Sequence, residues 1–361
     1  MHRKLFIPGP TEVSPDVLEA MSQPLIGHRS SQASELGERI SRKLAQLMET
    51  ENLIVLSTSS GSGLMEGAVR CFTAKRAAVF SIGAFGERWY KMCRANGIAA
   101  DIIRSPEGQA TTPAQIEEAL GTGSYDVITV THNETATGVA NNLAALAAVW
   151  SRYPDVVVCV DAVSSLGGDR IPCDELGIDC LITSSQKCIG LPPGLAVAAV
   201  SQKALERAET VPNRGLYFDY LELARFIRER GYQYPATPNI SLYYALDHAL
   251  DRMLEEGFSA RYARHAAMAE RVRDWARERF ALFADPEHLS QTVTCIANTR
   301  GIDVGAMNRW LGTQGFQISD GYGALKGKTF RIAHMGWMDL EDIDELLATI
   351  DRWLDTEGVE A

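Results

Sequence analysis

Lys187 lies in the segment Thr183-Ser184-Ser185-Gln186-Lys187-Cys188-Ile189-Gly190-Leu191-Pro192-Pro193-Gly194, and upstream of it Asp161 closes an apolar run over 156–160. A lysine amine captures carbonyl electrophiles once its ammonium gives up a proton readily. A carboxylate at the end of a buried strand can hold a protonated ring nitrogen. Together the pair suggests pyridoxal 5′-phosphate (PLP) chemistry, with the lysine carrying the cofactor as a Schiff base and the acid facing the pyridinium. A lone lysine is ordinarily a solvated surface charge. Its neighbours must decide.

Four further elements bear on that decision. Ser57-Thr58-Ser59-Ser60-Gly61-Ser62-Gly63-Leu64 follows an apolar run and opens a helical pattern. Its glycines and free N–H groups would suit a phosphate at a helix start, with Ser62 adding a hydroxyl; many such turns merely connect a strand to a helix. No Lys-Ser or Lys-Thr follows the glycines, so this is not a Walker loop. Phe85, in Gly83-Ala84-Phe85-Gly86-Glu87-Arg88, could cover one face of a planar cofactor or pack into the core. In Thr131-His132-Asn133-Glu134-Thr135-Ala136-Thr137-Gly138, Thr135 could bond a phenolic oxygen; His132 could orient a neighbour or be a satisfied loop histidine. Arg331, amid the strand-like Lys328-Thr329-Phe330-Arg331-Ile332-Ala333, could grip a carboxylate or make a structural salt bridge. Asp161 itself could equally cap a helix.

Such residues converge when strands deliver them to one sheet edge. Short apolar runs at 53–56, 77–80, 127–130, 156–160, 181–183 and 195–200 alternate with helical patterns, including 85–96 and 143–150. That alternation predicts an α/β fold with a mostly parallel central sheet covered on both faces. After about residue 238 two long helical stretches, 241–256 and 259–280, precede strands at 292–297 and 329–333 and helices at 304–313 and 340–354. The expected organisation is an N-terminal arm over 1–15, a large cofactor-binding domain over 16–255 and a smaller α+β domain over 256–361.

Composition narrows the partners. With 35 Lys and Arg against 46 Asp and Glu, the formal charge is −11. Nucleic acid is a poor partner for such a chain, whereas a small anionic substrate needs no more than a local basic pocket. No stretch approaches the roughly 18 apolar residues of a membrane span. The first residues reach Pro8 before a long apolar region forms, so neither signal nor transit peptide is expected. Seven scattered cysteines without CxxC pairing argue against zinc or a disulfide framework, no metal is expected, and the expected compartment is a reducing cytoplasm.

Taken in order, these segments resemble the class V aminotransferase family of fold-type I PLP enzymes. The match is to the branch of alanine–glyoxylate, serine–glyoxylate and serine–pyruvate aminotransferases. It runs from Pro8-Gly9-Pro10-Thr11 and Gly27-His28-Arg29-Ser30 through Ser60-Gly61-Ser62-Gly63, the segment after Asp161, Ser185-Gln186-Lys187 and Pro193-Gly194 to Phe330-Arg331-Ile332. The resemblance implies that Lys187 anchors the cofactor and removes the substrate Cα proton, while Asp161 pairs with the pyridine nitrogen. Ser62, Gly63, Leu64 and Gln186 would hold the phosphate, Phe85 would stack on the ring, Val163 would pack beneath it and Thr135 would meet its phenolic oxygen. Arg331 would take the substrate carboxylate, with Gly9 closing the other side. The resemblance further implies a homodimer with shared sites, in which Tyr234 and Thr237 of Gln233-Tyr234-Pro235-Ala236-Thr237-Pro238 serve the partner's phosphate. Its substrates would be a small amino acid, alanine or serine, and a 2-oxo acid, glyoxylate or pyruvate, exchanged by a ping-pong route.

Three rival readings remain open. A cysteine desulfurase would carry His in place of Gln186 and a mobile cysteine; Cys295 sits in an apolar run. A 2-aminoethylphosphonate–pyruvate aminotransferase would want extra cations near Arg331, with His28, Arg29 and His334 available. A non-catalytic protein on this fold would lack the lysine or the aspartate, and both are present.

Overall fold

Five consecutive buried residues in each of several strands explain why the apolar runs are unbroken: a parallel strand covered on both faces has no solvent side to alternate with. The computed structural model describes residues 2–357. Its main sheet comprises β1 (Leu53–Ser57), β2 (Ala77–Ser81), β3 (Ala100–Arg104), β4 (Val127–Thr131), β5 (Val157–Asp161), β6 (Cys180–Ser184) and β7 (Ala196–Val200). The spatial order is β1-β7-β6-β5-β4-β2-β3. All neighbours run parallel except β7, which is antiparallel to both β1 and β6. The carboxyl ends of β1, β2, β4, β5 and β6 therefore share one edge. Strand β3 escapes an apolar-run reading because it is an edge strand with Asp101 and Arg104 exposed.

Beyond the Ile240–Glu256 helix a second sheet forms from β8 (Ala281–Leu282), β9 (Val293–Ala297), β10 (Ser319–Asp320) and β11 (Thr329–Ala333), in the antiparallel order β8-β9-β11-β10. Against it pack the Phe258–Arg279 and Leu340–Glu357 helices. Met268, Val272, Phe330, Ile332 and Ile343 belong to its core, which is separate from the core around the main sheet.

The chain's start belongs to that second core. Lys4–Leu5 pairs in parallel with Phe316–Gln317, Phe6 is fully buried, and its carbonyl accepts from the Ala333 amide at 2.9 Å. A few residues on, Thr11 donates its hydroxyl to the Lys187 carbonyl at 3.0 Å. The arm thus crosses between the end of β11 and the turn that carries Lys187.

The aromatic stretch 217–220 braces the helix Gly61–Phe72 from behind. A Cβ on Gly63 would fall 2.5 Å from the Phe218 ring, and one on Gly67 would fall 2.7 Å from the Phe218 carbonyl. Tyr220, fully buried, donates its hydroxyl to the Leu64 carbonyl at 3.0 Å. Both glycines serve close packing of helix on loop.

Candidate active site

Each strand end delivers one element. After β1 the Gly61–Phe72 helix begins, with Ser60 at its N-cap making no side-chain bond. Its first amides are free for an anion, and the helix dipole favours negative charge there. A Cβ on Gly61 would meet Val163 Cγ2 at 2.6 Å, so glycine lets the helix start approach the β5 segment. After β2, Gly83 opens the helix Ala84–Ala95 that presents Phe85. After β4 comes the Thr135 turn, β5 ends on Asp161, and Lys187 follows β6.

These elements enclose one cavity of about 130 Å³ lined by Ser62, Phe85, Arg88, Thr135, Asp161, Val163, Gln186 and Lys187, with Ser60, Gly61, Met65, Asn133, Ser164 and Ser184. The structure thus brings together Ser62, Phe85, Thr135, Asp161, Val163, Gln186 and Lys187. Gly9 and Arg331 adjoin rather than line it. Gly9 adopts φ +101°, where a Cβ would lie 2.5 Å from Lys187 Nζ, and the Lys187 amine donates to the Pro8 carbonyl.

Arg331 is buried, and its guanidinium donates to the Thr135 carbonyl at 3.1 Å and, through Nε and Nη2, to the Asp320 carbonyl at 3.1 and 3.0 Å. Among the described residues it has no carboxylate partner, so the structural salt bridge considered for it does not form. A guanidinium has five N–H donors, and those left over are free for a substrate carboxylate.

Four expected residues fall elsewhere. The Leu64 side chain is fully buried in the core, and the Gly63 amide already donates to the Ser60 carbonyl at 2.9 Å. The free amides at the helix start are those of Gly61 and Ser62. Tyr234 is buried within its own chain, where its hydroxyl accepts from the Leu56 amide at 2.9 Å. Thr237 is exposed, and with Tyr234 it borders a separate cleft that includes Leu216, Tyr217 and Pro238.

Electrostatics suit the cavity to a charged ligand. Burial raises the Asp161 carboxyl to about 6, although the Val163 amide donates to Oδ1 at 2.9 Å and Arg88 and Lys187 pull the other way. Burial also draws the Lys187 amine down to about 8, with Asp161 partly offsetting it. The buried Asn133 Oδ1, Ser184 Oγ and Gln186 Oε1 face the same cavity and lack protein partners. Buried polar atoms are nearly always paired, so this wall is built for a polar ligand. A phosphate at the Gly61 and Ser62 amides, a ring nitrogen at Asp161 and a carbonyl carbon at Lys187 match its chemistry. PLP fits.

Arg88 was missed by sequence reasoning. Its guanidinium lies 4.6 Å from the Phe85 ring centroid and donates to Ser62 Oγ at 2.9 Å, with no carboxylate partner among the described residues. The signal was its place three residues after Phe85, on the same helical face. Glu134 was missed too. Fully buried, it accepts from the Phe85 and Gly86 amides at 2.9 and 3.3 Å and from Ala136 at 3.0 Å, capping the Phe85 helix from the Thr135 turn. Burial raises its carboxyl to about 7 despite those three donors.

The remaining polar residues form a buried network behind Asp161. Ser164 donates to the Asn133 carbonyl at 3.0 Å, so the 3.1 Å contact from Thr135 uses the Thr135 hydroxyl hydrogen. His132, kept neutral by burial, meets Ser165 at 2.8 Å; it orients a neighbour instead of facing the cavity. All seven cysteines are free and buried. Among the described residues no group of three or more His, Cys, Asp or Glu is placed to hold a metal.

Comparison with known proteins accounts for this arrangement. The profile of the class-V aminotransferases matches residues 4–346, and the chain belongs to that family. It is 37% identical to an uncharacterized aminotransferase of Methanocaldococcus jannaschii, covering 99% of this chain and 94% of the relative. It is 34% identical to a serine–glyoxylate aminotransferase of Methylorubrum extorquens over 95% of this chain and 87% of the relative. The crystal structure of an alanine–glyoxylate aminotransferase from Nostoc sp. superposes with a TM-score of 0.92 at 28% identity, covering 98% of this chain and 96% of that one. The chain is therefore a fold-type I transaminase, and its cofactor is pyridoxal 5′-phosphate.

Two measurements probe the buried carboxyls. The Asp161 pKa of about 6 exceeds the ordinary 3.8, so its burial costs no stability below pH 4, a growing amount as pH rises to about 6, and a constant amount above. Cofactor-free Asp161→Asn protein should melt above wild type at pH 8, and the gap should close toward pH 4; a gap independent of pH would contradict this. Glu134→Gln leaves one carbonyl oxygen for three amides and should destabilise the protein by about 1–3 kcal/mol, as read by denaturant unfolding.

Proposed function

We propose that the chain moves the amino group of a small amino acid, alanine or serine, to glyoxylate or pyruvate, in two successive half-reactions at one site. The observation that carries this reading is the wall formed by Gly9, Lys187, Thr135 and Arg331. Arg331 offers free N–H donors for an α-carboxylate beside Thr135, and Gly9 packs directly on the Lys187 side chain, where a Cβ would lie 2.5 Å from Nζ, so the backbone closes that side of the amine. Tyr322, whose ring is 5.7 Å from that of Phe85 and 5.7 Å from the Arg331 guanidinium, narrows the same corner. A small side chain suits that space.

When bound, PLP supplies an electrophilic carbonyl and a ring that withdraws electrons from the substrate Cα. Lys187, with an amine at about 8, is partly neutral near physiological pH and could accept the Cα proton and return it to the carbon on the far side of the substrate nitrogen. Asp161 would hold a proton on the ring nitrogen. Arg331 would hold the carboxylate, Phe85 would cover the ring, and Gly61, Ser62 and Gln186 would hold the phosphate, with Arg88 as the nearby cation.

Two rivals lose support. A desulfurase needs a mobile thiol, yet Cys295 is buried in β9 with Sγ on the Ala136 carbonyl at 3.6 Å. For a phosphonate donor, His334 is fully buried, bonded to Thr294 and held by burial at about 3, while Arg29 is spent on the Tyr234 and Pro235 carbonyls.

The reading extends to assembly and location. Leu216 and Tyr217, 81% and 50% exposed beside the cleft that holds Tyr234, are apolar surface suited to a second copy, and we take the enzyme to be a homodimer. Among the described residues no helix is long and apolar enough to cross a membrane. Buried free thiols suit a reducing compartment such as the cytoplasm.

A donor–acceptor matrix, following each half-reaction by the visible absorbance of the loaded enzyme, tests the substrates; conversion by 2-aminoethylphosphonate but not by alanine or serine would reject the reading. Lys187→Ala should abolish the visible band and cut turnover at least ~10²–10⁴-fold, the usual worth of a general base. Asp161→Asn should retain some cofactor but lose most turnover, and near-normal rates would remove Asp161 from its role.

A further inference from the structure

Arg261 is a fully buried arginine far in sequence from every residue placed in the site. It projects from the Phe258–Arg279 helix, which belongs to the second core, into the seam between the two sheets. Its guanidinium has four hydrogen bonds. Nε donates to the Gly167 carbonyl at 2.8 Å, and Nη2 donates to the carbonyls of Cys188 at 2.7 Å and Gly336 at 3.1 Å. Nη1 meets Glu256 at 2.8 Å. The three carbonyls lie on three different segments: the loop that follows Asp161, the residue next to Lys187, and the stretch just beyond Arg331.

The surroundings tighten this grip. The Trp337 ring lies 4.5 Å from the Arg261 guanidinium and donates Nε1–H to the Gly190 carbonyl at 3.1 Å. His265, on the same helix, accepts the Gly336 amide on Nε2 at 3.2 Å and places Nδ1 2.8 Å from the Arg261 carbonyl, so it is neutral with its proton on Nδ1. From the other side Thr11 holds the Lys187 carbonyl. The Lys187 turn is therefore gripped at residues 187, 188 and 190, and Arg261 is the group that joins it to both the Asp161 and the Arg331 segments. Charge-assisted bonds in a buried setting resist sliding, because any shift strands a carbonyl or the charge.

We propose that Arg261 is a positioning residue for amino transfer, holding the Lys187 main chain in register with the segments that carry Asp161 and Arg331. The proposal rests on the transaminase reading of the site. Proton transfer by Lys187 requires its amine within hydrogen-bond reach of the substrate carbon, and displacements of about 1 Å can cost about 10²-fold in rate. Arg264 provides the contrast. It bonds Glu256 and the Gly336 and Met338 carbonyls from the same helix but touches neither the Lys187 nor the Asp161 segment.

The test uses the full chain. Arg261→Lys keeps the charge without the planar fork, Arg261→Met removes both, and Arg264→Met serves as the control. Measured quantities are kcat, KM, the pH midpoint of the visible band of the PLP-loaded enzyme, the rate at which cofactor-free protein captures added PLP, and the melting temperature. Expected for Arg261→Lys are a fall in kcat of about 10–100-fold with KM within about threefold, a displaced band midpoint and slower PLP capture. Arg264→Met should melt earlier yet keep kcat, midpoint and capture rate near wild type. The proposal is overturned if a folded Arg261→Lys enzyme matches wild type in all three. It is equally overturned if Arg264→Met reproduces the same losses, or if neither Arg261 variant folds, since Arg261 would then serve the fold and not the site. A wild-type protein that failed to develop a visible band with PLP would instead reject the transaminase reading itself.

Discussion

Burial of two ionisable groups at one sheet edge is the constraint on which the rest depends. Asp161 and Lys187 would both be charged in water, and removing either from solvent disfavours its charged form. The carboxyl rises to about 6 and the amine falls to about 8. Neither shift would help a structural protein. The lowered amine suits a group that must give and take a proton, while the raised carboxyl is the cost of burying an acid that a cationic ring would offset. Everything around them serves to keep that pair desolvated, apart and aligned.

Three layers do this. The main sheet sets the positions, because its parallel strands end side by side and each terminal turn contributes one function. A buried polar layer then fixes the turns. Glu134 caps the helix that carries Phe85, Ser164 and Asn133 brace the turn that carries Thr135, and the Val163 amide holds one Asp161 oxygen. Finally the elements of the second core and the N-terminal segment pack over the Lys187 turn, with Phe6 anchored in that core and Thr11 and Arg261 on the turn. The Arg331 guanidinium belongs to β11 of the second sheet yet donates to the Thr135 carbonyl in the turn after β4 of the main sheet. A substrate carboxylate bound there would bridge both.

Family membership and site chemistry agree, but they answer different questions. Similarity places the chain among class-V aminotransferases over nearly its whole length. The cavity walls explain why the fold can do that chemistry: unpaired polar atoms face a space with a helix start at one end and a buried acid at the other.

The amino-acid sequence by itself was enough for the α/β class, for the main strands, and for singling out Lys187, Asp161, Phe85 and Ser62, which the structure brings to one cavity. Apolar runs and short motifs are local properties, and these residues advertise themselves within a few positions. The edge strand Ala100–Arg104 was not legible, since half its surface faces water and its pattern is broken by charge. Gly63, Leu64 and Tyr234 were expected at the cofactor from their motif, and their places in helix packing, in the core and in an internal hydrogen bond could be seen only in the fold. Glu134, Arg88 and Arg261 were invisible for the opposite reason. An acid or arginine in sequence is ordinarily a surface charge, and only tertiary structure shows that these are buried among backbone groups of other segments. Spacing along the chain could say which residues are able to do chemistry; long-range packing alone decided which backbone groups hold them still.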